Sequence, residues 1–237
     1  MPRVHVPART AYRVESSSGE YTLSVGTIVP QVDGPRSSAF SSIDLSDFVG
    51  QITRHVQWGR GDFGTWAARH DQVAQHVLGR NCVAAYQESS FGSPLAFTFF
   101  RRLEVGTEGE EPERRRRLAG LLGRSSVPRQ YVYVLEQFNV TAMHDLREGG
   151  RTAERRLQAA AALAHALLKP LAPDAEVYIP LYEDDTREGY FFEKMMGCAP
   201  HDVPGENMLF TTAGDACRML EENPLFGFLS TARLVTA

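Results

Sequence analysis

Hydrophobic positions change their period several times along this chain, and each change marks a predicted element. Tyr21, Leu23, Val25 and Thr27 alternate with smaller residues. With residues 11–15 they flank Ser16-Ser17-Ser18-Gly19, so 11–15 and 21–29 predict two strands around a turn-rich loop. Residues 32–42 are rich in Gly, Pro and Ser and predict a loop, after which Asp44 can cap a helix carrying Phe48, Val49, Ile52 and Val56. A second helix is predicted over 65–78. Trp58-Gly59-Arg60-Gly61-Asp62-Phe63-Gly64 lies between them, either an interhelical turn with anchoring aromatics or the lining of a pocket.

Period-two patterning returns at 82–88 and 93–105, a hairpin joined by Ser89-Ser90-Phe91-Gly92. Residues 130–140 are rich in β-branched and aromatic residues, the strongest strand in the chain and long enough to be central. Then Leu157, Ala161, Ala164 and Leu168 form one stripe of a helix over 153–168, which Pro170 ends. Residues 176–182 predict a strand, 189–198 a helix and 208–212 a strand. A helix over 213–225 and a short strand over 228–235 complete the pattern, with Leu220, Leu225, Phe226 and Phe228 supplying apolar area to bury.

Composition narrows the class. The 237 residues predict one large domain with additions, and 43% hydrophobic, 23% charged and 10% aromatic residues exclude collagen-like and fully disordered chains. Acidic residues number 29 against 25 basic ones, a balance that excludes a surface basic enough for general nucleic-acid binding. Cys82, Cys198 and Cys217 are odd in number and stand in no metal-ligand spacing, so reduced thiols are expected and no metal site. The longest apolar stretch, 159–168, is interrupted by His165 and is too short to span a membrane, and the N-terminus lacks the apolar run of a signal peptide. A cytoplasmic protein without membrane contact is expected.

Candidate chemistry concentrates after the long strand. Arg147-Glu148-Gly149-Gly150-Arg151-Thr152 leads from it into a helix N-terminus, where unpaired backbone N–H groups and the helix dipole favour an anion and glycine permits its close approach. The segment is either a pyrophosphate cradle or a tight connection. Glu136 on the strand and His144 beside Asp145 have the chemistry of a general base, against readings as a salt-bridged strand residue and a surface histidine. Residues 108–129 carry Glu110-Glu111-Pro112-Glu113 followed by Arg114-Arg115-Arg116-Arg117, which can pair internally or dock a phosphate or an acidic carrier.

The order helix, helix, hairpin, long strand, glycine turn, helix, strand, helix resembles the GNAT acetyltransferase superfamily over residues 21–212. Residues 147–152 look like its Q/R-x-x-G-x-G/A acyl-CoA loop, with Thr152 at the last position. Phe191-Phe192-Glu193-Lys194-Met195-Met196-Gly197 is similar to its F-Y-E-K-L-G-F ending, with Asp185 six residues earlier where an asparagine is often found. The resemblance implies an α/β fold: a single domain with a central mixed, mostly antiparallel sheet, a V-shaped splay between two strands, flanking helices, and a C-terminal helix-strand extension over 213–237. It also implies an acyl-CoA co-substrate, most simply acetyl-CoA, no metal, and a small-molecule amine acceptor. In such a site the backbone at Phe138, Asn139 and Val140 pairs with the pantetheine arm. Gly149, Gly150, Arg151 and Thr152 hold the pyrophosphate with help from Arg147, and Glu136 serves as base. Trp58, Tyr86, Glu88 and Arg101 are candidate acceptor contacts.

One departure matters. Phe192 stands where the family commonly has a tyrosine that protonates the leaving thiolate, and Tyr190 lies about 200° away on a helix of 3.6 residues per turn. Tyr190 is nonetheless the nearest phenol for the acid role. Three readings stay open: an acyl-CoA-dependent N-acyltransferase; a divergent enzyme on the same scaffold, taking its acyl group from a carrier protein or aminoacyl-tRNA or doing other chemistry; and a non-catalytic binding or dimerisation module. A homodimer fits any of them, and tRNA is the one nucleic acid considered.

Overall fold

The computed structural model describes residues 3–16, 19–31, 43–56, 65–88, 94–104, 131–140, 151–181, 189–203 and 206–236. Among the described residues the strands are β1 (Arg3–His5), β2 (Ala8–Ser16), β3 (Gly19–Thr27), β4 (Val29–Gln31), β5 (Ile43–Asp44), β6 (Cys82–Gln87), β7 (Ala96–Glu104), β8 (Tyr131–Val140), β9 (Glu176–Pro180), β10 (Ala199–Val203), β11 (Glu206–Thr212) and β12 (Arg233–Thr236). The helices are α1 (Leu45–Thr53), α2 (Trp66–Leu78), α3 (Arg151–Leu168) and α4 (Ala213–Glu222), with a π-helical turn at Phe191–Met195 and a 3₁₀ segment at Pro224–Thr231.

Nine strands form one sheet in the order β10-β11-β9-β8-β7-β6-β3-β2-β12, and β4-β1-β5 form a small antiparallel sheet beside it. Every pair in the large sheet is antiparallel except β8 with β9, which α3 connects. That exception follows from sequence: two antiparallel strands need a short turn, whereas parallel neighbours need a crossover, and α3 is that crossover. The fold is therefore mixed α/β, a mostly antiparallel sheet flanked by helices.

The predicted cap acts, and a second one joins it. Asp44 accepts from the Ser46 amide at 2.8 Å and starts α1; Thr65 accepts from the Ala68 amide at 3.3 Å and starts α2. These helices cover one face of the sheet, burying Phe48, Val49, Ile52, Val73 and Val77 against Ala84, Tyr86, Phe97 and Phe99. The N-terminal chain crosses β3 so closely there that a Cβ at Gly26 would lie 2.3 Å from Val6 Cγ1 and 2.7 Å from the Ala8 carbonyl, so only glycine fits.

The other face belongs to α3. Residues 159–164 read Ala-Ala-Ala-Ala-Leu-Ala and all six are fully buried, more than one stripe requires. A helix apolar all round is a buried helix, and what covers its outer side is the C-terminal segment: Ala216, Leu220, Phe226 and Leu229 join the same core. Leu225 departs from expectation, being exposed.

Several predicted elements differ in detail. The helix expected over 213–225 ends at Glu222, and 224–231 is 3₁₀ where a strand was expected from 228. Asn223 accepts from the Leu225 amide at 3.0 Å with Pro224 at the first position, and Ser230 and Thr231 donate to the Gly227 and Phe228 carbonyls at 2.8 and 2.7 Å. Local side-chain bonds thus win over strand propensity there. Thr231 also accepts from the Arg13 amide at 2.9 Å, fastening the segment to β2, and β12 then pairs along β2. The helix expected over 189–198 shortens to a π-helical turn, and 199–203, for which no strand was expected, is edge strand β10. Pro200 is compatible with an edge because its missing N–H can face outward.

All three cysteines are free and buried. Among the described residues no group of three His, Cys, Asp or Glu is placed to hold a metal ion, and no helix is long and apolar enough to cross a membrane.

Candidate functional site

The parallel pair is short. β8 meets β9 only from Val132 opposite Glu176 to Val134 opposite Tyr178, after which β8 runs on for six residues. A bulge follows just beyond it. On the β7 side Phe97 opposes Asn139 and Phe99 opposes Glu136, leaving Thr98 alone against Gln137 and Phe138. Gln137 absorbs the extra residue with φ of 51°, a left-handed conformation uncommon for a side chain of its size, and buried Thr98 donates to the Glu136 carbonyl at 2.9 Å. A bulge bends and twists its strand, and among the described residues 135–140 do not pair with β9.

The bulge also breaks side-chain alternation. Without it Glu136 and Phe138 would share a face. Instead, the Glu136 carboxylate meets Arg101, which neighbours His76 of α2, whereas Phe138 joins the core around α3. Arg101 Nη2 lies 2.9 Å from Glu136 Oε2, with side-chain exposures of 10% and 23%. The same nitrogen is 3.3 Å from both His76 ring nitrogens, and the His76 ring stacks on Phe99 at 4.0 Å and 7°. Asn139 Nδ2 donates to the His55 carbonyl, which ties the open end of β8 to the residues just after α1.

On the opposite face the end of β8 packs against buried aromatics. Phe138 packs against Phe191 and Phe192 with centroids 5.9 and 5.0 Å apart. The turn that carries them is closed by the Cys198 and Met196 amides, which donate to the Phe192 carbonyl at 3.0 and 3.2 Å. Burial pushes the Cys198 thiol up to about 12, so it stays protonated at neutral pH. Tyr190 faces solvent at 59% exposure, while Phe191 and Phe192 are buried. Its hydroxyl is not part of the aromatic wall.

The predicted site residues thus divide. Glu136 and Arg101 come together, and Phe138, Asn139 and Val140 form the diverging end of β8. Arg151 and Thr152 begin α3, the helix that follows β8 in the chain. Tyr86 sits elsewhere, at 1% exposure beneath α1 and α2, its phenol pushed up to about 12 chiefly by burial. Glu88 is engaged away from the splay, accepting from Ser24 at 2.9 Å and pairing with Arg9 at 3.2 Å. Trp58, His144, Arg147, Gly149, Gly150 and Asp185 lie outside the described residues, as do the glycine turn at 58–64 and the arginine run at 114–117. Sequence reasoning missed His76 and Phe99. A histidine in the last turn of an amphipathic helix was the one local signal, but its neighbours depend on strand register.

No protein-family model matches this chain, and no curated protein matches its sequence. Among solved structures, a putative arylalkylamine N-acetyltransferase 7 from the yellow fever mosquito overlays 89% of this chain and 95% of its own. The overlay has a TM-score of 0.47 at 12% identity. So loose a superposition says nothing about residue roles, which rest on the geometry above.

Proposed function

We propose that the protein is an N-acyltransferase that moves an acyl group, acetyl in the simplest case, from acyl-CoA to the amine of a small molecule by direct attack. The observation that carries this reading is the parting of β8 from β9 after Val134, with Glu136 and the bulge at Gln137 just beyond it. An extended pantetheine arm suits the stretch of β8 beyond its pairing with β9, and the N-terminus of α3 suits its pyrophosphate. Glu136 then accepts a proton from the amine as the C–N bond forms and the C–S bond breaks. Phe192 has no proton to give, so in this reading the departing thiolate takes its proton from water.

The buried Phe192 also favours a second reading, in which the donor is an acyl group on a carrier protein or tRNA. Calorimetric titration with acetyl-CoA and with desulfo-CoA separates the two. Micromolar binding that is lost in Gly150→Asp, together with thiol release on adding amines, is the expected result. Absence of binding at millimolar acetyl-CoA overturns the acyl-CoA reading.

A further inference from the structure

A hollow of about 320 Å³ lies between the end of α3 and α4, and it shares no residue with the end of β8. Leu168, Ala213 and Cys217, all buried, give it an apolar floor, and Leu171 and Pro173 add to that surface. Burial above all pushes the Cys217 thiol up to about 11, so the floor carries no charge at neutral pH. Lys169, Arg218, Glu221 and Glu222, all exposed, line the hollow as well. Two positive charges thus stand with two negative ones, and the lining is neutral as a whole. The volume is at the small end for a ligand pocket and suits a single ring.

The polar atoms of this lining are only partly used. Glu221 Oε1 takes both His165 Nε2 at 3.0 Å and Lys169 Nζ at 2.6 Å, whereas Oε2 takes no bond from any described residue. Lys169 Nζ has three N–H groups and gives one of them to Glu221. A spare donor and a spare acceptor therefore stand beside each other in one ion pair. The two oxygens of a carboxylate are closer together than one hydrogen bond is long, so a single atom can lie within bonding distance of both Nζ and Oε2. A hydroxyl serves both from its one oxygen, accepting from the ammonium and donating to the carboxylate. A charged head does worse. An ammonium would compete with Lys169 for Glu221, a carboxylate would compete with Glu221 for Lys169, and each would meet a like charge there.

We propose that this hollow is a binding site for small phenols, with the ring on the floor of Leu168, Ala213 and Cys217 and the hydroxyl bridging Lys169 Nζ and Glu221 Oε2. A ring buries apolar area without rotatable bonds to freeze, which keeps the cost of binding low. A phenol, with a pKa of about 10 like that of a tyrosine side chain, is neutral at pH 7.5 and keeps the proton it has to donate. The site stands or falls independently of the acyl-transfer reading.

The test is calorimetric titration with p-cresol, set against toluene, benzylamine and benzoate, beside alkylation of Cys217 by iodoacetamide read by peptide mass spectrometry. p-Cresol is expected to bind with a Kd of about 1 mM or below, about tenfold or more tighter than each of the other three. At saturation it should slow alkylation of Cys217 but not of Cys198, which is equally buried and lies outside the hollow. Lys169→Met, at an exposed position, should bring p-cresol down to the level of toluene, and Cys217→Met, which fills the floor, should abolish binding of both. Should the cysteine variant fail to fold, Lys169→Met and the alkylation rates decide. No binding of p-cresol at about 10 mM, a Kd too weak for a built site, overturns the proposal. So does equal binding of toluene, a preference for the amine or the carboxylate, equal slowing at both cysteines, or an affinity that survives Lys169→Met.

Discussion

Two clusters in this protein are built from the same kinds of side chain: one stands where β8 parts from β9, and the other joins two helices beside a surface hollow that Lys169 and Glu221 help to line. At the bulge, Glu136, Arg101, His76 and Phe99 meet where β8 leaves β9. Between α3 and α4, Tyr12, His165, Glu221 and Lys169 form another set: Tyr12 Oη is 3.0 Å from His165 Nδ1, His165 Nε2 is 3.0 Å from Glu221 Oε1, and Lys169 reaches that same oxygen at 2.6 Å. By residue type, the set between the helices is closer to a catalytic relay. Its geometry is that of a fastening. With His165 neutral and carrying its proton on Nε2, the tyrosine hydroxyl donates to Nδ1 and Nε2–H donates to the carboxylate, so both ring nitrogens are satisfied inside a core that is 4% exposed at the histidine. A constellation becomes a candidate site through what it faces as much as through its residues.

The sharpest way to break the comparison is to remove the base. Glu136→Gln keeps the size and loses the charge, and on the acyl-transfer reading it lowers turnover by about 10²–10⁴-fold with acetyl-CoA affinity retained. Thiol-release kinetics beside calorimetry reads both. Glu221→Gln, the matching change in the other cluster, should leave turnover per folded molecule unaltered. Equal losses from the two variants would erase the distinction drawn between the clusters.

Next comes the core that holds the fastening. Phe226 is 1% exposed in the cluster that covers the outer side of α3. Phe226→Ala should cost about 3–5 kcal/mol of stability, seen as a lower urea midpoint with kcat unchanged where the protein remains folded. A cost below about 1 kcal/mol would mean that the C-terminal segment is not part of the core in solution.

How much of this was legible in the sequence follows from which interactions are local. Asp44 and Thr65 mark their helices because capping is decided within four residues, and residues 130–140 reveal a central strand by composition alone. The bulge leaves no such mark: Gln137 is neither glycine nor asparagine, and its positive φ is imposed by the register of β7 against β8. The pairing of Arg101 with Glu136 depends on that register too, since Phe99 opposes Glu136 and Arg101 opposes Val134. Likewise the stripe of Leu157, Ala161, Ala164 and Leu168 predicted a half-buried α3. The full burial of its residues 159–164 is decided by residues more than fifty positions later in the chain.

The smallest effect separates the clusters by pH. Burial lowers the pKa of His165 below the usual histidine value, outweighing the pull of Glu221, whose interacting oxygen Lys169 already neutralises. The folded protein therefore binds fewer protons at this site than the unfolded chain, so the contribution of neutral His165 is fully present above the unfolded pKa of about 6.5 and is lost as pH falls through the folded one. Glu221 is also lowered, first by Lys169 and then by His165, so its contribution persists to lower pH and disappears only as pH falls below the usual carboxylate range. Urea midpoints measured from pH 7.5 down to 5.5 should fall, with a slope bounded by about 1.4 kcal/mol per pH unit for one proton. His165→Gln should flatten that slope over the same interval without altering turnover at pH 7.5. If the slope survives the substitution, another group is taking up the proton, and His165 is not held neutral by the Tyr12 and Glu221 contacts.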